Sequence, residues 1–268
     1  EFMKRIIQTL FLGAGVIALA HCSGNPLVDD SDPSLSGPIG SLAVATTQHL
    51  ADESALAADV SGFKTLTNDQ GFTVVLEEAA VNWKSLKLIS SGSDPECEGG
   101  SDQEIELQSA QDLLGEDLLA KVLAEQEVPQ VAYCSWQITI APGPELAALK
   151  NHGGEDHGSG VANPPIDETF HLAGTWSKDA LSGDFHIHST EPLVLQGNFE
   201  APHDGEAVDH PLHFHDGEVE KQVTFGITYD LLLNGLDFSA QTEEQLVAQA
   251  RINLGLAIHQ HLGETASH

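Results

Sequence analysis

The stretch Val131-Ala132-Tyr133-Cys134-Ser135-Trp136-Gln137-Ile138-Thr139-Ile140 sets the pattern from which the fold is read. Trp136, Ile138 and Ile140 recur every second residue, with Ser135, Gln137 and Thr139 between them. Side chains of a strand alternate between its two faces, so this run has one face for a core and one for other contacts. Phe72 to Leu76, Val81 to Leu88 and Ile105 to Leu107 are of the same kind, rich in β-branched and aromatic residues. Past a break the pattern resumes in Thr169 to Trp176, Gly183 to His188, Leu193 to Phe199, Leu212 to His215 and Val219 to Leu233. Eight or nine strands with turn residues between them predict an all-β fold, a β-sandwich with two helical additions.

The first helix is expected over Ser109 to Glu127, where Leu113, Leu114, Leu118, Leu119, Val122 and Leu123 fall at helical spacing and Pro129 follows. The second opens at the capping box Thr242-Glu243-Glu244-Gln245 and continues through Leu246, Val247 and Ala250 towards Leu254 or Leu262. Ser41 to Asp59 is Ala-rich and reads as a short helix. Pro142 to Asp167 breaks the pattern with Pro, Gly, Asn and His, too long for a plain connection inside a compact domain.

At the start, Glu1 and Phe2 read as a cloning scar before Met3. Lys4 and Arg5 then precede an apolar run, Ile6 to Ala20, too short to cross a bilayer comfortably. This is the form of an export signal. Leu19-Ala20-His21-Cys22-Ser23-Gly24 resembles the lipobox of bacterial lipoproteins, although His21 replaces the small residue usual before the cysteine. The resemblance implies that Cys22 is lipidated and that, with Ser23 after it, the chain goes on to the outer membrane, facing the periplasm or the cell surface. The expected organisation is a signal peptide over 1–21, a lipid tether and linker over 22–60, and one sandwich domain over 61–268 with His- and acid-rich loops at 150–168 and 200–217. Cys97 and Cys134 remain, an even number in an oxidising compartment, and are expected to form a disulfide.

The chain has 41 Asp and Glu against 10 Lys and Arg, a formal charge of −31. Such a field repels nucleic acid and anionic lipid surfaces and attracts cations. A nucleic-acid partner is excluded, and contact with a membrane is expected through the lipid anchor only. No Gly-X-Ser-X-Gly elbow and no phosphate-cradling Gly loop ending in Lys-Ser or Lys-Thr is present.

The densest chemistry lies between Asp184 and Gly217. His186-Ile187-His188 and His213-Phe214-His215 each place two imidazoles around an apolar residue, so on a strand both rings share the face opposite Phe185 and Ile187, or Leu212 and Phe214. If the two strands are neighbours, the pairs supply four nitrogen donors to one borderline divalent ion. His171 also faces away from the core. Glu191 is an alternate ligand, while His203 and His210, with His152 and His157 in the earlier break, are expected to capture ions on loops. Met3 is the only methionine, so a soft Cu(I) site is not expected, and imidazole with carboxylate suits Zn2+, Cu2+ or Ni2+. His186-Ile-His188 with Glu191 and Gly197 resembles a shortened first cupin motif, and the His-X-His strands resemble those of α-type carbonic anhydrases. Neither family's remaining metal ligands have counterparts here.

The sequence therefore leads to a lipid-anchored protein outside the cytosol that captures a divalent metal ion for uptake, delivery or buffering, with a metal importer or outer-membrane receptor as partner. A zinc-dependent hydrolase or lyase, with three protein ligands and a water position, is the alternative. A structural or adhesive sandwich with incidental histidines is the third.

Overall fold

The computed structural model describes residues 38–51, 55–56, 58–91, 97, 100–143, 168–203, 206–209, 211–214 and 218–262, with the backbone alone at 200–203, 206–209 and 261–262. In chain order the strands are β1 (Ile39–His49), β2 (Lys64–Thr67), β3 (Thr73–Ile89), β4 (Gln103–Asp112), β5 (Lys121–Pro129), β6 (Ser135–Ile140), β7 (Phe170–Lys178), β8 (Leu181–Ser189), β9 (Leu193–Asn198), β10 (Glu200–His203), β11 (Glu206–Asp209) and β12 (Glu220–Thr228). A short 3-10 turn, Leu231–Leu233, then precedes helix α1 (Glu243–Ala257) and β13 (Ile258–Leu262).

The long strand β3 is the spine of the larger sheet. Along one edge it pairs with β2 and then β4, and along the other with β7 and then β6. Strand β8 extends the sheet beyond β7, and β9 extends it beyond β6. A second sheet runs β13-β12-β1-β5, with β1 parallel to β12 and antiparallel to β5, and β10–β11 form a separate hairpin. The inner faces of the two large sheets share one core, where Phe225 of β12 meets Trp136 at 5.2 Å and Trp83 at 6.3 Å between ring centres. The protein is an all-β sandwich, as the alternating pattern predicts.

Two bulges shift the alternation of β3. Its core-facing residues run Val74 and Leu76, then Ala79, Val81 and Trp83, then Leu86 and Leu88. The register shifts lie between Leu76 and Glu78 and between Trp83 and Ser85. An extra residue reverses which parity points inward. Between the bulges, Glu78, Ala80 and Asn82 therefore take the outer face.

The helix expected over Ser109 to Glu127 is absent. Its first residues end β4, its last form β5, and a turn joins them around the buried ammonium of Lys64. Lys64 Nζ donates to Leu113 O at 3.0 Å, to Gly115 O at 2.8 Å and to the Asp117 carboxylate. A helix would keep those carbonyls for its own ladder, so a cation from β2, distant in sequence, outweighs the leucine spacing. Leu119 and Val122, two of the expected core residues, are exposed.

The Ala-rich segment is also not helical over Ile39–His49. It is β1, hydrogen-bonded on both edges, with Leu42 and Val44 in the core. The folded unit thus begins well before residue 61, and the 22–60 linker is too long at its C-terminal side. Of the strand expected over Leu212 to His215, the described residues 212–214 form only one isolated bridge, from Leu212 to Tyr133. Strand β12 stops at Thr228, short of Leu233.

The capping box at α1 is formed as predicted. Thr242 Oγ1 accepts from Gln245 N, and Gln245 Oε1 accepts from Thr242 N. The helix ends at Ala257 because Ile258 onward pairs with β12, a strand the sequence reading did not foresee. The expected disulfide is present between Cys97 and Cys134, with Cα atoms 6.0 Å apart. The export signal, Cys22 and the loop at 150–167 lie outside the described residues.

Candidate metal centre

The outer face of the larger sheet carries a cluster at its β8 edge. Register places His188 opposite His171, His171 opposite Ala80, His186 opposite Ala173, and Ala173 opposite Glu78. Directly paired residues share a face, so Glu78, His171, His186 and His188 stand together. Phe185 and Ile187, between and beside the histidines of β8, are buried in the core as the alternation predicts. The imidazoles of His171 and His186 lie 4.7 Å apart by ring centres, and those of His186 and His188 lie 4.9 Å apart.

Glu168, immediately before β7, binds the cluster together. Its carboxylate is 2 % exposed and accepts from Nδ1 of His171 at 2.9 Å and from Nδ1 of His188 at 2.5 Å. With both Nδ1 atoms donating, the neutral rings carry their lone pairs on Nε2. His171 Nε2 is buried, makes no hydrogen bond, and lies 2.9 Å from Glu78 Oε2. No hydrogen bond joins the two atoms, and a cation bridging them would satisfy both. Burial, and then the neighbouring His171 and His188, hold the His186 imidazole below its ordinary pKa, which favours its neutral form.

The end of β8 is braced from α1. Arg251 donates to Ser189 Oγ at 2.8 Å and to the Glu191 and Pro192 carbonyls at 2.6 and 3.2 Å. Between this end and α1 lies an open groove of about 740 Å³, lined by His188, Glu191, Leu193, Val247, Arg251 and Ile252 among others.

Of the residues singled out in the sequence, His171, His186 and His188 are brought together. Glu191 is not: its exposed carboxylate reaches Arg251 at 3.6 Å. His213 is also elsewhere, with Nδ1 donating to Pro211 O at 3.1 Å. Among the described residues β8 pairs with β7 alone, and the segment that opens the second His-X-His pair bridges Tyr133 through Leu212. Along β3, His171 is level with Ala80 and Tyr133 lies beyond Ile89, roughly 25–30 Å away at the rise of a strand. Among the described residues, His213 does not join His171, His186 and His188. His203 lies at the end of β10, where only the backbone is described, and His152, His157, His210 and His215 lie outside the described residues.

Sequence reasoning missed Glu78 and Glu168. Glu78 reaches the outer face only through the bulge after Leu76, and Glu168 sits at the edge of a loop with no periodicity to mark it. Among the described residues, no three or more His, Cys, Asp or Glu side chains already surround one metal position. The cluster is a pair of oriented imidazoles, a third, exposed ring, and a carboxylate alongside. No protein-family model, no curated protein and no solved structure matches this chain.

Proposed function

We propose that this chain is a lipid-anchored protein outside the cytosol that captures a divalent transition metal ion for uptake, delivery or buffering. Zn2+ is the leading ion, with Cu2+ or Ni2+ as substitutes. The observation that carries this reading is Glu168. A buried carboxylate that takes Nδ1–H from two imidazoles fixes their tautomer and turns each Nε2 away from it, which is how the outer shell of a metal site orients its histidines. His171 Nε2 and Glu78 Oε2 would hold the ion first, with half-buried His188 and exposed His186 beside them to complete the set. The chain's charge of −31 concentrates cations at its surface. A metal importer or an outer-membrane receptor is the partner such a role requires.

A second reading, a zinc-dependent enzyme, is favoured by the groove that opens at His188. The first shell of the ion separates the two: an enzyme keeps a water there, and a carrier site does not need one.

The test is elemental analysis and zinc titration of untagged protein across pH. Imidazole ligands must be neutral, so affinity should fall steeply between about pH 7.5 and 5.5, whereas a carboxylate-only site persists to about pH 5. Absence of stoichiometric zinc uptake at neutral pH would leave the cluster as a hydrogen-bonded network around Glu168, and the proposal would be wrong.

A further inference from the structure

Helix α1 leaves an apolar part of itself uncovered. Its inward stripe is Leu246, Ala250, Asn253, Leu254 and Ala257, all buried. A helix that covers a core ordinarily turns polar side chains to its other side. Ile252 and Leu256, one turn apart and so on one face, are instead 60 % and 72 % exposed. Gly255 beside them brings the helix against β9: a Cβ there would lie 3.2 Å from Leu195 Cδ2. Leu195 pairs with Ile138 and Leu193 with Ile140, so both take the core side of β9, an outermost strand of its sheet.

The open groove between α1 and the end of β8 continues this surface. Leu193, Val247, Ala248 and Ile252 give it an apolar lining. Its acids are Glu191, Glu243 and Glu244, and all three are exposed. Arg251, the one Lys or Arg of the lining, is committed to Ser189 Oγ and to the Glu191 and Pro192 carbonyls. Carboxylates therefore set the charge that an approaching molecule meets.

We infer that this groove is a docking surface for a partner protein, and that the segment it takes carries apolar side chains flanked by Lys or Arg. Contact removes the exposed apolar side chains from water, and the acids select the sign of what approaches. A second copy of this chain does not fit that description. A two-fold contact would set Glu191, Glu243 and Glu244 against their own duplicates, on molecules that each carry a charge of −31. His188 stands at the groove, so a docked partner lies beside the cluster that Glu168 orients. The surface is read from packing and charge alone and needs no ion in that cluster.

The experiment uses metal-free, isotope-labelled protein and two synthetic peptides of equal charge, Lys-Leu-Lys-Leu-Lys and Lys-Ser-Lys-Ser-Lys, acetylated and amidated at their ends. The Leu peptide should bind at least about tenfold more tightly, the ratio expected from burying a single leucine side chain. It should shift the amide signals of Leu193, Val247, Ala248 and Ile252 together in one saturable transition. Ile252→Ser, a change at an exposed position, should remove most of that preference, and Glu243→Gln with Glu244→Gln should weaken both peptides. Equal affinity for the two peptides, with shifts scattered over the acidic surface, would overturn the inference and leave only general attraction of cations. A dimer in sedimentation that Ile252→Ser dissociates would also overturn it, by giving the groove to a second copy.

Discussion

Glu168 and Lys64 are both nearly inaccessible charged residues, and each is held by partners that dictate what its loss should do. Replacing Glu168 with Gln keeps the shape but turns a double acceptor into a group that can accept through only one of its two end atoms. One of the two Nδ1 atoms would face an amide N–H, and its ring would turn over. Loss of such an orienting group typically weakens metal affinity about 10- to 100-fold, which zinc competition titration of Glu168→Gln would read. An unchanged affinity would mean that Glu168 serves folding alone. Lys64 is a different case, because its ammonium is enclosed by the Asp117 carboxylate, two carbonyls and the Tyr229 ring at 4.8 Å. Asp117 in turn accepts from Tyr229 Oη at 2.5 Å and from Leu56 N at 2.7 Å. Lys64→Met should cost about 3–5 kcal/mol by stranding a buried carboxylate, and adding Asp117→Asn should recover part of it. Urea unfolding measures both, and a loss under about 1 kcal/mol would show the pair to be dispensable.

Strand β7 presents His171 correctly only while it keeps register with β3, and at Gly174 the backbone of β3 leaves no room for a side chain. A Cβ on Gly174 would lie 1.9 Å from Val75 O, a main-chain atom with little freedom to retreat. Gly174→Ala should therefore break the pairing next to the bulge that turns Glu78 outward, and lower stability and zinc affinity together. Ile187→Ala makes the contrast. Its side chain is fully buried on the opposite face of β8, so it should cost about 2–5 kcal/mol as a cavity while zinc affinity stays close to that of the parent. Thermal unfolding with and without ZnCl2 distinguishes the two variants. Equal losses of affinity would mean that the face of the strand does not separate packing from binding.

Across the whole molecule, the only two tyrosines report on the integrity of the sandwich. Burial raises the phenol of Tyr133, with the charge of Asp102 adding to it. Burial also raises that of Tyr229, together with the hydrogen bond and charge of Asp117. A folded-state pKa above the unfolded value of about 10 means that the contribution to stability is complete below pH 10 and declines as pH rises beyond it. Each tyrosine should then steepen the decline by about 1.4 kcal/mol per pH unit. Phenolate absorbance should stay absent until the protein unfolds and then appear for both residues in one step. Gradual ionisation near pH 10 in the folded protein would show that at least one ring is open to water. The Cys97–Cys134 bond, closing a loop of 37 residues, adds about 3–4 kcal/mol in the chain-entropy view.

Local pattern was enough for the fold class, for most strands of the larger sheet, for the start of α1 and for the outward face of His186 and His188. Each of these depends on a period of two, or on a cap spanning four residues, and neighbours along the chain carry that information. The cysteine pairing was expected from the two cysteines left once Cys22 is set aside. Partners distant in sequence decided the remainder. Lys64 converted a leucine-rich helix pattern into a turn, and two flanking strands drew an Ala-rich segment into β1. A one-residue bulge in β3 moved Glu78 from an inward to an outward parity, and the edge position of β8 set His213 apart from His186 and His188. The imidazoles were visible in the chain, but the carboxylates that orient and oppose them, Glu168 and Glu78, were not, because an acid's role depends on the side chain it meets and that meeting is made by sheet register.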